Sequence, residues 1–292
     1  MSSKLELLKQ LRDITGAGIL DCKKYLVRAS NNLDDAIKLM RSEEGVKADK
    51  KSSRVAAEGV VYFLSNSSRS LMIEINSETD FVARGDDFLD YVNQTCEIII
   101  SSSYSSIDDL NNSKDASIKN NLEELRKNYV TKLGENIQIR RFHCLDNSEG
   151  FITGYTHNNK IGAVVSLSKD DSQLSKDICM QIVASDPLAL DENSIDQSLL
   201  ANEKEIYKAE LDKVDKKDDI KRNIMEGKIK KFISDNTLLN QPYIKDSSLT
   251  LKKILKDNNI LSYTRYQLGE GIEKKQEDCA DQRASQIKAL QQ

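Results

Sequence analysis

Residues 55–76 read VAAEGVVYFLSNSSRSLMIEIN, and this stretch decides the fold class that the sequence can adopt. Two apolar runs flank the polar segment 65–70, which is the pattern of a β-hairpin. Residues 86–100, DDFLDYVNQTCEIII, then have their apolar side chains at helical spacing. A hairpin followed by an amphipathic helix can bury one face of a small sheet, so the segment predicts an α+β fold.

The same order of elements recurs in residues 149–186. A second hairpin is predicted from GFITGYT, the turn HNNK and IGAVVSL, and a second helix from QLSKDICMQIVAS. The two copies agree in architecture rather than in identity, so we predict two similar α+β core subdomains. A helix over 119–133 and a strand over 137–145 are predicted between them.

The first 45 residues have helical spacing and predict a compact three-helix domain. The glycines of TGAG (15–18) end the first helix, and Asn32 has the position of an N-cap for the third. The polar segment 46–54 is interpreted as a linker. We therefore predict domains at 1–45, 55–145 and 146–273, with a C-terminal helical module at 274–292.

Residues 195–232 have a high density of charge, with apolar residues confined to narrow seams. Leu211 belongs to the first seam, and Ile224 and Ile229 belong to the second. This pattern predicts an antiparallel helical hairpin that protrudes from the core. Lysines alternate with acids along it, which favours a solvated face over a nucleic-acid patch.

The composition is that of a soluble globular protein. The 292 residues are 38% hydrophobic and 31% charged, with a net charge of −4, so nothing global favours nucleic acid or an anionic membrane as a partner. No apolar run reaches the about 20 residues of a membrane span. The N-terminus lacks the order of a signal peptide, and the five cysteines are scattered. We expect a cytoplasmic protein with free thiols.

Residues with catalytic chemistry are scarce. His143 and Cys144 are adjacent, but neighbours on a strand point to opposite faces, so a catalytic Cys/His pair is not favoured. Two isolated histidines do not supply a metal site. The glycine-containing segments GAGILDCKK and GEGIEK lack the phosphate-binding pattern. We predict no active site for chemistry, no metal and no cofactor.

Four segments offer candidate contact residues instead. In TGAGILDCKK (15–24), either one of the two apolar residues after the glycines is exposed or both are buried. In ETDFVAR (78–84), Phe81 either packs inward or is carried outward. His157 lies at a predicted hairpin tip, where a surface histidine without a functional role is the favoured interpretation. In NQPYI (240–244), a packed corner is slightly favoured.

Five motifs, taken in order, resemble the elongation factor Ts family. They are TGAGILDCKK, ETDFVAR, KLGENIQIRR, MEGKIKKF and LGEGIEK, and the resemblance extends from about Leu5 to Glu273. It implies a ubiquitin-associated-like (UBA-like) N-terminal domain, two α+β subdomains, a helical hairpin and a C-terminal module. It also implies a guanine-nucleotide exchange factor that binds elongation factor Tu, GDP-bound or nucleotide-free, and promotes GDP release, without a cofactor or direct binding to nucleic acid.

The resemblance also implies roles for individual residues. The residues matching Thr79, Asp80, Phe81 and Val82 wedge beside the magnesium site of the partner GTPase. Partner contacts are carried over onto Ile19, Leu20, Lys23, His157, Pro242, Tyr243 and Ile244. Two departures are NQPYI, where familiar members have GQPF, and Gln181, where they often have His. We assign Gln181 no role.

Three alternatives compete with this interpretation. An adaptor that binds through its UBA-like helices without exchange activity would need only residues 1–45 and would be indifferent to Phe81. A thiol enzyme would use Cys144 and His143 and would require a cysteine of low pKa. An RNA-binding translation protein is the third, and the acidic charge balance argues against it.

Overall fold

The computed structural model describes residues 4–214 and 217–273. The helices in these ranges are α1 (Lys4–Thr15), α2 (Ile19–Arg28), α3 (Leu33–Lys51), α4 (Asp80–Ala83), α5 (Asp86–Ile100), α6 (Ile107–Asn112), α7 (Ser117–Leu133), α8 (Ser172–Ser185), α9 (Gln197–Asp212), α10 (Asp218–Asn236) and α11 (Leu251–Leu255). The strands are β1 (Glu58–Ser65), β2 (Arg69–Ser77), β3 (Ile137–Asp146), β4 (Phe151–His157), β5 (Ile161–Leu167), β6 (Pro242–Tyr243), β7 (Asp246–Thr250) and β8 (Ile260–Gln267). The predicted C-terminal module lies outside the described residues.

The first sheet has the order β1-β2-β3 and is antiparallel throughout. Its central strand, β2, is buried along almost its whole length. Ile73 and Ile75 face a core that also contains Phe88 and Tyr91 of α5 and Val130 of α7. The predicted hairpin and its helix therefore form the first α+β unit.

The second sheet repeats this plan with the order β4-β5-β8. Ala163 and Val165 of β5 pack against Ile178 and Ile182 of α8, and Leu251 adds to the same core. In both units a β-hairpin and a helix are completed by a third strand from later in the chain. The predicted α+β class is confirmed.

The two sheets pack face to face, so the core has the layers helix, sheet, sheet, helix. Val61 and Met72 of the first sheet contact Val164 and Tyr266 of the second. Small residues make this close approach possible. A Cβ atom added to Gly162 would lie 2.8 Å from Cγ1 of Val61.

Gly154 has the same function on the neighbouring strand. A Cβ atom added to Gly154 would lie 2.3 Å from Cδ2 of Phe63, a distance that real atoms do not adopt. The ring of Phe63 thus occupies the space that a side chain on β4 would fill.

A buried carboxylate also joins the sheets. Glu74 is fully buried and accepts hydrogen bonds from Arg140 Nη1 at 2.9 Å and Arg141 Nε at 2.7 Å. The pairing of β2 with β3 shifts register at Glu74, as in a β-bulge, so two consecutive arginines reach one carboxylate. The backbone N–H of Gly269, which follows β8, donates to the same side chain at 2.8 Å.

The N-terminal helices α1 to α3 form their own small core around Leu11, Cys22 and Tyr25. The predicted N-cap is confirmed, because the side chain of Asn32 accepts a hydrogen bond from the backbone N–H of Asp35.

The interpretation of residues 46–54 as a linker is wrong in its local structure, because α3 continues to Lys51. Ala48 is buried in the core of the first unit, and Asp49 pairs with Lys127 of α7 at 3.2 Å. The only apolar residues of this run, Val46 and Ala48, are two positions apart and do not have the spacing of a helical stripe, so the sequence pattern did not indicate this packing. The division into domains at these boundaries stays a prediction.

The charged segment forms the helices α9 and α10, which pack against each other. Leu200, Ile229 and Ile233 form part of a small apolar cluster near the base of the pair. Glu210 and Lys228 form an ion pair between the two helices. The predicted helical hairpin is therefore present.

The close packing of the two sheets predicts how a substitution of Gly154 changes the stability of the protein. Gly154→Val should lower the free energy of unfolding by about 1–3 kcal/mol, because the new side chain overlaps the ring of Phe63. Urea unfolding followed by circular dichroism measures this. Gly227→Ala is the matched control, because Gly227 lies in α10 with no atom close to its missing side chain. It should be neutral or stabilising by up to about 1 kcal/mol. Equal stability of Gly154→Val and wild type would contradict the described sheet packing.

Candidate partner-binding site

The turn that follows β2 presents Phe81 to solvent. Thr79 is the N-cap of the one-turn helix α4, and its Oγ1 accepts a hydrogen bond from the N–H of Val82 at 3.4 Å. Val82 and Ala83 pack against the first core, whereas the side chain of Phe81 is 85% exposed. Of the two interpretations of Phe81, the structure supports the outward one.

The four residues of this motif thus differ in what they present. Asp80 forms an ion pair with Arg84 at 2.9 Å, one helical turn further along the chain. The backbone of the turn is capped by Thr79 and not by Asp80. Only Phe81 offers a large apolar surface to a partner.

The turn is attached to the loop between α7 and β3. The backbone N–H of Thr79 donates to Glu135 Oε2 at 2.9 Å, and its hydroxyl donates to Glu135 Oε1 at 2.6 Å. The N–H of Asn136 donates to Glu78 Oε1 at 2.6 Å. Sequence reasoning missed Glu135, which belongs to the motif KLGENIQIRR but is more than fifty residues from the turn.

The elbow between α1 and α2 exposes both of its apolar residues. Ile19 is 52% exposed and Leu20 is 82% exposed, and Lys23 is also at the surface. Val27, which sequence reasoning missed, is exposed as well. Val27 could have been found from its position seven residues after Leu20, because this spacing places both side chains on one face of α2.

Contacts through α7 place this elbow at the same end of the first unit as Phe81. Gly16 lies against Lys132, because a Cβ atom added to Gly16 would be 2.9 Å from Lys132 Cδ. Lys132 pairs with Asp87 at 2.6 Å. Asp87 lies in the first turn of α5, which begins directly after the Phe81 turn.

His157 is exposed at the end of β4, beside a turn in which Asn158 and Asn159 adopt positive φ angles of 52° and 53°. Its Nδ1 lies 3.3 Å from the hydroxyl of Tyr155. The carbonyl oxygen of Asn159 accepts a hydrogen bond from the N–H of Val61 at 2.7 Å, which fixes this turn to the edge of the first sheet. The helix α4 also packs against β1, so the turn and the helix that carries Phe81 contact the same strand.

The segment Pro242–Ile244 lies elsewhere, against α8 on the outer face of the second sheet. The hydroxyl of Tyr243 donates to Asp177 at 2.7 Å, and the N–H of Ile244 donates to Gln181 Oε1 at 3.2 Å. Burial and the neighbouring Asp177 raise the pKa of Tyr243 to about 12. Pro242 and Ile244 are exposed, so this corner is only partly packed.

Gln181 is therefore a supporting residue for this segment, although no motif in the sequence assigned it a role. Asp177 and Gln181 lie on one face of α8, but about sixty residues separate them from the segment they hold. A single sequence carries no signal for such a pairing.

The surroundings of Cys144 and His143 argue against a thiol enzyme. Cys144 is buried, and burial raises the pKa of its thiol, whereas a reactive cysteine needs a lowered pKa. His143 points to the other face, where its Nδ1 lies 2.7 Å from the hydroxyl of Thr264. Burial lowers the pKa of this imidazole. Cys22, Cys96 and Cys179 are also free and buried.

None of the helices in the part of the chain that the structure describes is both long enough and apolar enough to span a membrane.

The fold and these surfaces define a class of two-unit α+β proteins that present exposed apolar residues on fixed turns. Residues 78–270 match the family model described as Elongation factor TS. The relatives named Elongation factor Ts include those of Thioalkalivibrio sulfidiphilus (39% identical, 99% of each chain), Legionella pneumophila strain Lens (38%, 97% of each) and Methylococcus capsulatus (36%, 99% of this chain and all of the relative). The chain belongs to the elongation factor Ts family, as the five motifs predicted.

Its role is that of a nucleotide exchange factor in translation elongation. The alternative of an adaptor without exchange activity is not favoured.

The exposure of Phe81 predicts that its removal leaves the fold intact. Phe81→Ala should change the free energy of unfolding by less than about 0.5 kcal/mol, because surface substitutions rarely do more. Phe88→Ala is the matched control, since Phe88 is fully buried only seven residues away. It should cost about 3–5 kcal/mol in the same urea titration. A large loss of stability in Phe81→Ala would mean that the ring packs inward.

Proposed function

We propose that the protein binds elongation factor Tu and promotes GDP release by inserting Phe81 beside the Mg²⁺ site of that GTPase. The single observation that carries this proposal is the 85% exposed ring on a capped turn, whose neighbours Val82 and Ala83 are packed into the core. An exposed aromatic residue on a fixed backbone can enter a partner's surface with little loss of conformational entropy.

The chemistry of Mg²⁺ makes this wedge effective. The ion demands near-ideal octahedral geometry, so a small displacement of its supporting groups weakens its hold on the nucleotide phosphates. Burial of the phenyl ring in the partner supplies about 1.5–3 kcal/mol toward that displacement. No covalent bond changes, so the factor needs no catalytic side chain of its own.

Exchange is then a linkage between two ligands of one GTPase. If the factor weakens GDP binding by some free energy, GDP must weaken binding of the factor by the same amount. A tight contact in the nucleotide-free state therefore accompanies weakened binding of GDP.

Two further surfaces support the wedge. Ile19, Leu20 and Lys23 form an exposed apolar and basic patch at the same end of the first unit, and His157 lies on the turn at the edge of β1. We assign these residues to contacts that hold the partner while Phe81 enters it. Pro242, Tyr243 and Ile244 form a separate contact on the second unit.

Stopped-flow release of a fluorescent GDP from elongation factor Tu tests the wedge. Phe81→Ala should lower the acceleration by about 10- to 100-fold, the equivalent of about 1.5–3 kcal/mol of lost ring burial. Phe151→Ala is the matched control, because Phe151 is also partly exposed but lies in β4 of the second sheet. It should exchange at the wild-type rate. An undiminished rate in Phe81→Ala would remove the wedge from the mechanism.

The elbow contact predicts a change in affinity rather than in fold. Leu20→Ser should weaken binding to nucleotide-free elongation factor Tu by about tenfold. Leu20 is exposed in the free protein, and the substitution removes the apolar side chain that the partner buries in the complex. Isothermal titration calorimetry measures the affinity. Leu5→Ser on α1 changes a similarly exposed leucine and serves as the control. Equal affinities for the two variants would argue against an elbow contact.

A further inference from the structure

The loop of residues 134–136 is bonded on one side to the Phe81 turn. Both oxygens of Glu135 accept hydrogen bonds from Thr79, one from the backbone N–H and one from the hydroxyl. Asn136 donates its backbone N–H to Glu78 in the same turn. Hydrogen bonds to a carboxylate are stronger than those between neutral groups, so this attachment is firm.

On its other side the loop is bonded to the end of α3. The carbonyl oxygen of Gly134 accepts a hydrogen bond from Lys51 Nζ at 2.9 Å. The buried side chain of Asn136 donates to the carbonyl oxygen of Arg54 at 2.8 Å. Arg54 in turn pairs with Glu78 at 3.4 Å. The Phe81 turn is thus supported from outside its own segment.

These bonds matter because the helix α4 is not stable by itself. A helix of four residues is too short to be stable alone, and its cap bond from Val82 to Thr79 is long at 3.4 Å. Val82 and Ala83 hold the C-terminal side of the turn in the core, so the conformation of its N-terminal side depends on the bonds that fix Thr79. Phe81 follows two residues later, and its direction depends on the backbone at Thr79.

We infer that Glu135 is a positioning residue for nucleotide exchange, and this inference rests on the proposed function of Phe81. Its carboxylate fixes Thr79 and thereby the direction in which the phenyl ring leaves the surface. Glu135 does not touch the partner in this role, and it acts through Phe81 alone.

A double-mutant cycle tests this dependence in the stopped-flow GDP-release assay. Glu135→Ala should lower the acceleration by about five- to tenfold when Phe81 is present, because a misplaced group loses much of its effect. In the Phe81→Ala background, Glu135→Ala should cause no further loss, since coupled residues are non-additive. Glu123→Ala is the control, because Glu123 lies on α7 and pairs with Arg126. It should leave the rate unchanged in both backgrounds.

Each other outcome overturns the inference in a recognisable way. An equal loss from Glu135→Ala in both backgrounds would show general damage to the fold rather than positioning. A wild-type rate in Glu135→Ala, alongside a slow Phe81→Ala, would refute the role of Glu135 and leave the proposed function standing. A wild-type rate in Phe81→Ala would refute both.

A second variant keeps the test decisive if Glu135→Ala folds poorly. Glu135→Gln has nearly the shape of glutamate and keeps one oxygen acceptor, but its amide nitrogen cannot accept the second hydrogen bond from Thr79. It should lower the acceleration by about two- to fivefold, again only when Phe81 is present. A loss of the same size without Phe81 would count against positioning.

Discussion

The buried carboxylate of Glu74 is the constraint on which the arrangement of the two units depends. A buried charge is costly unless it is paired and hydrogen-bonded, and removal of one partner of such a pair typically costs about 3–5 kcal/mol. Arg140 and Arg141 satisfy Glu74 from within the first sheet, and the N–H of Gly269 satisfies it from the second unit. The guanidinium of Arg141 also lies over the ring of Tyr266, 4.3 Å from its centroid. The sheets are therefore held in one relative position by charge as well as by apolar contact.

That fixed position brings candidate contact segments from distant parts of the chain to the same strand, β1. Phe81 lies on α4, which packs against β1, whereas the turn after His157 belongs to the second sheet and bonds to Val61 of β1 only because the sheets are docked. Polar residues hold the exposed segments: half-buried Glu135 holds Thr79, and buried Gln181 holds Ile244. An exposed apolar side chain buries less area in a partner if the residues that hold its backbone move. Firm polar hydrogen bonds behind an exposed apolar residue therefore favour its binding.

The elements could be predicted from the sequence because their signals are local. The hairpin of residues 55–76, the helix after it and the N-cap at Asn32 depend on neighbours within a few positions. The exposure of Phe81 could not be derived from periodicity, because a single turn of helix is too short to show a period, and the family resemblance supplied that expectation. The helical continuation to Lys51 was missed because it rests on Ala48 packing against another helix. The supports of Thr79 and Ile244 could not be predicted, since each joins residues more than fifty positions apart.

The interface between the two sheets also affects how the chain folds while it is being synthesised. The bond between Gly269 and Glu74 spans 195 residues of sequence, so it forms only after residue 269 has been synthesised. Until the second sheet is complete, the inner face of the first sheet, with Val61 and Met72, has no partner. An apolar sheet face left open during synthesis is a site of aggregation and of chaperone capture. A translation factor built in this way exposes its own half-made core at the ribosome while it is being translated.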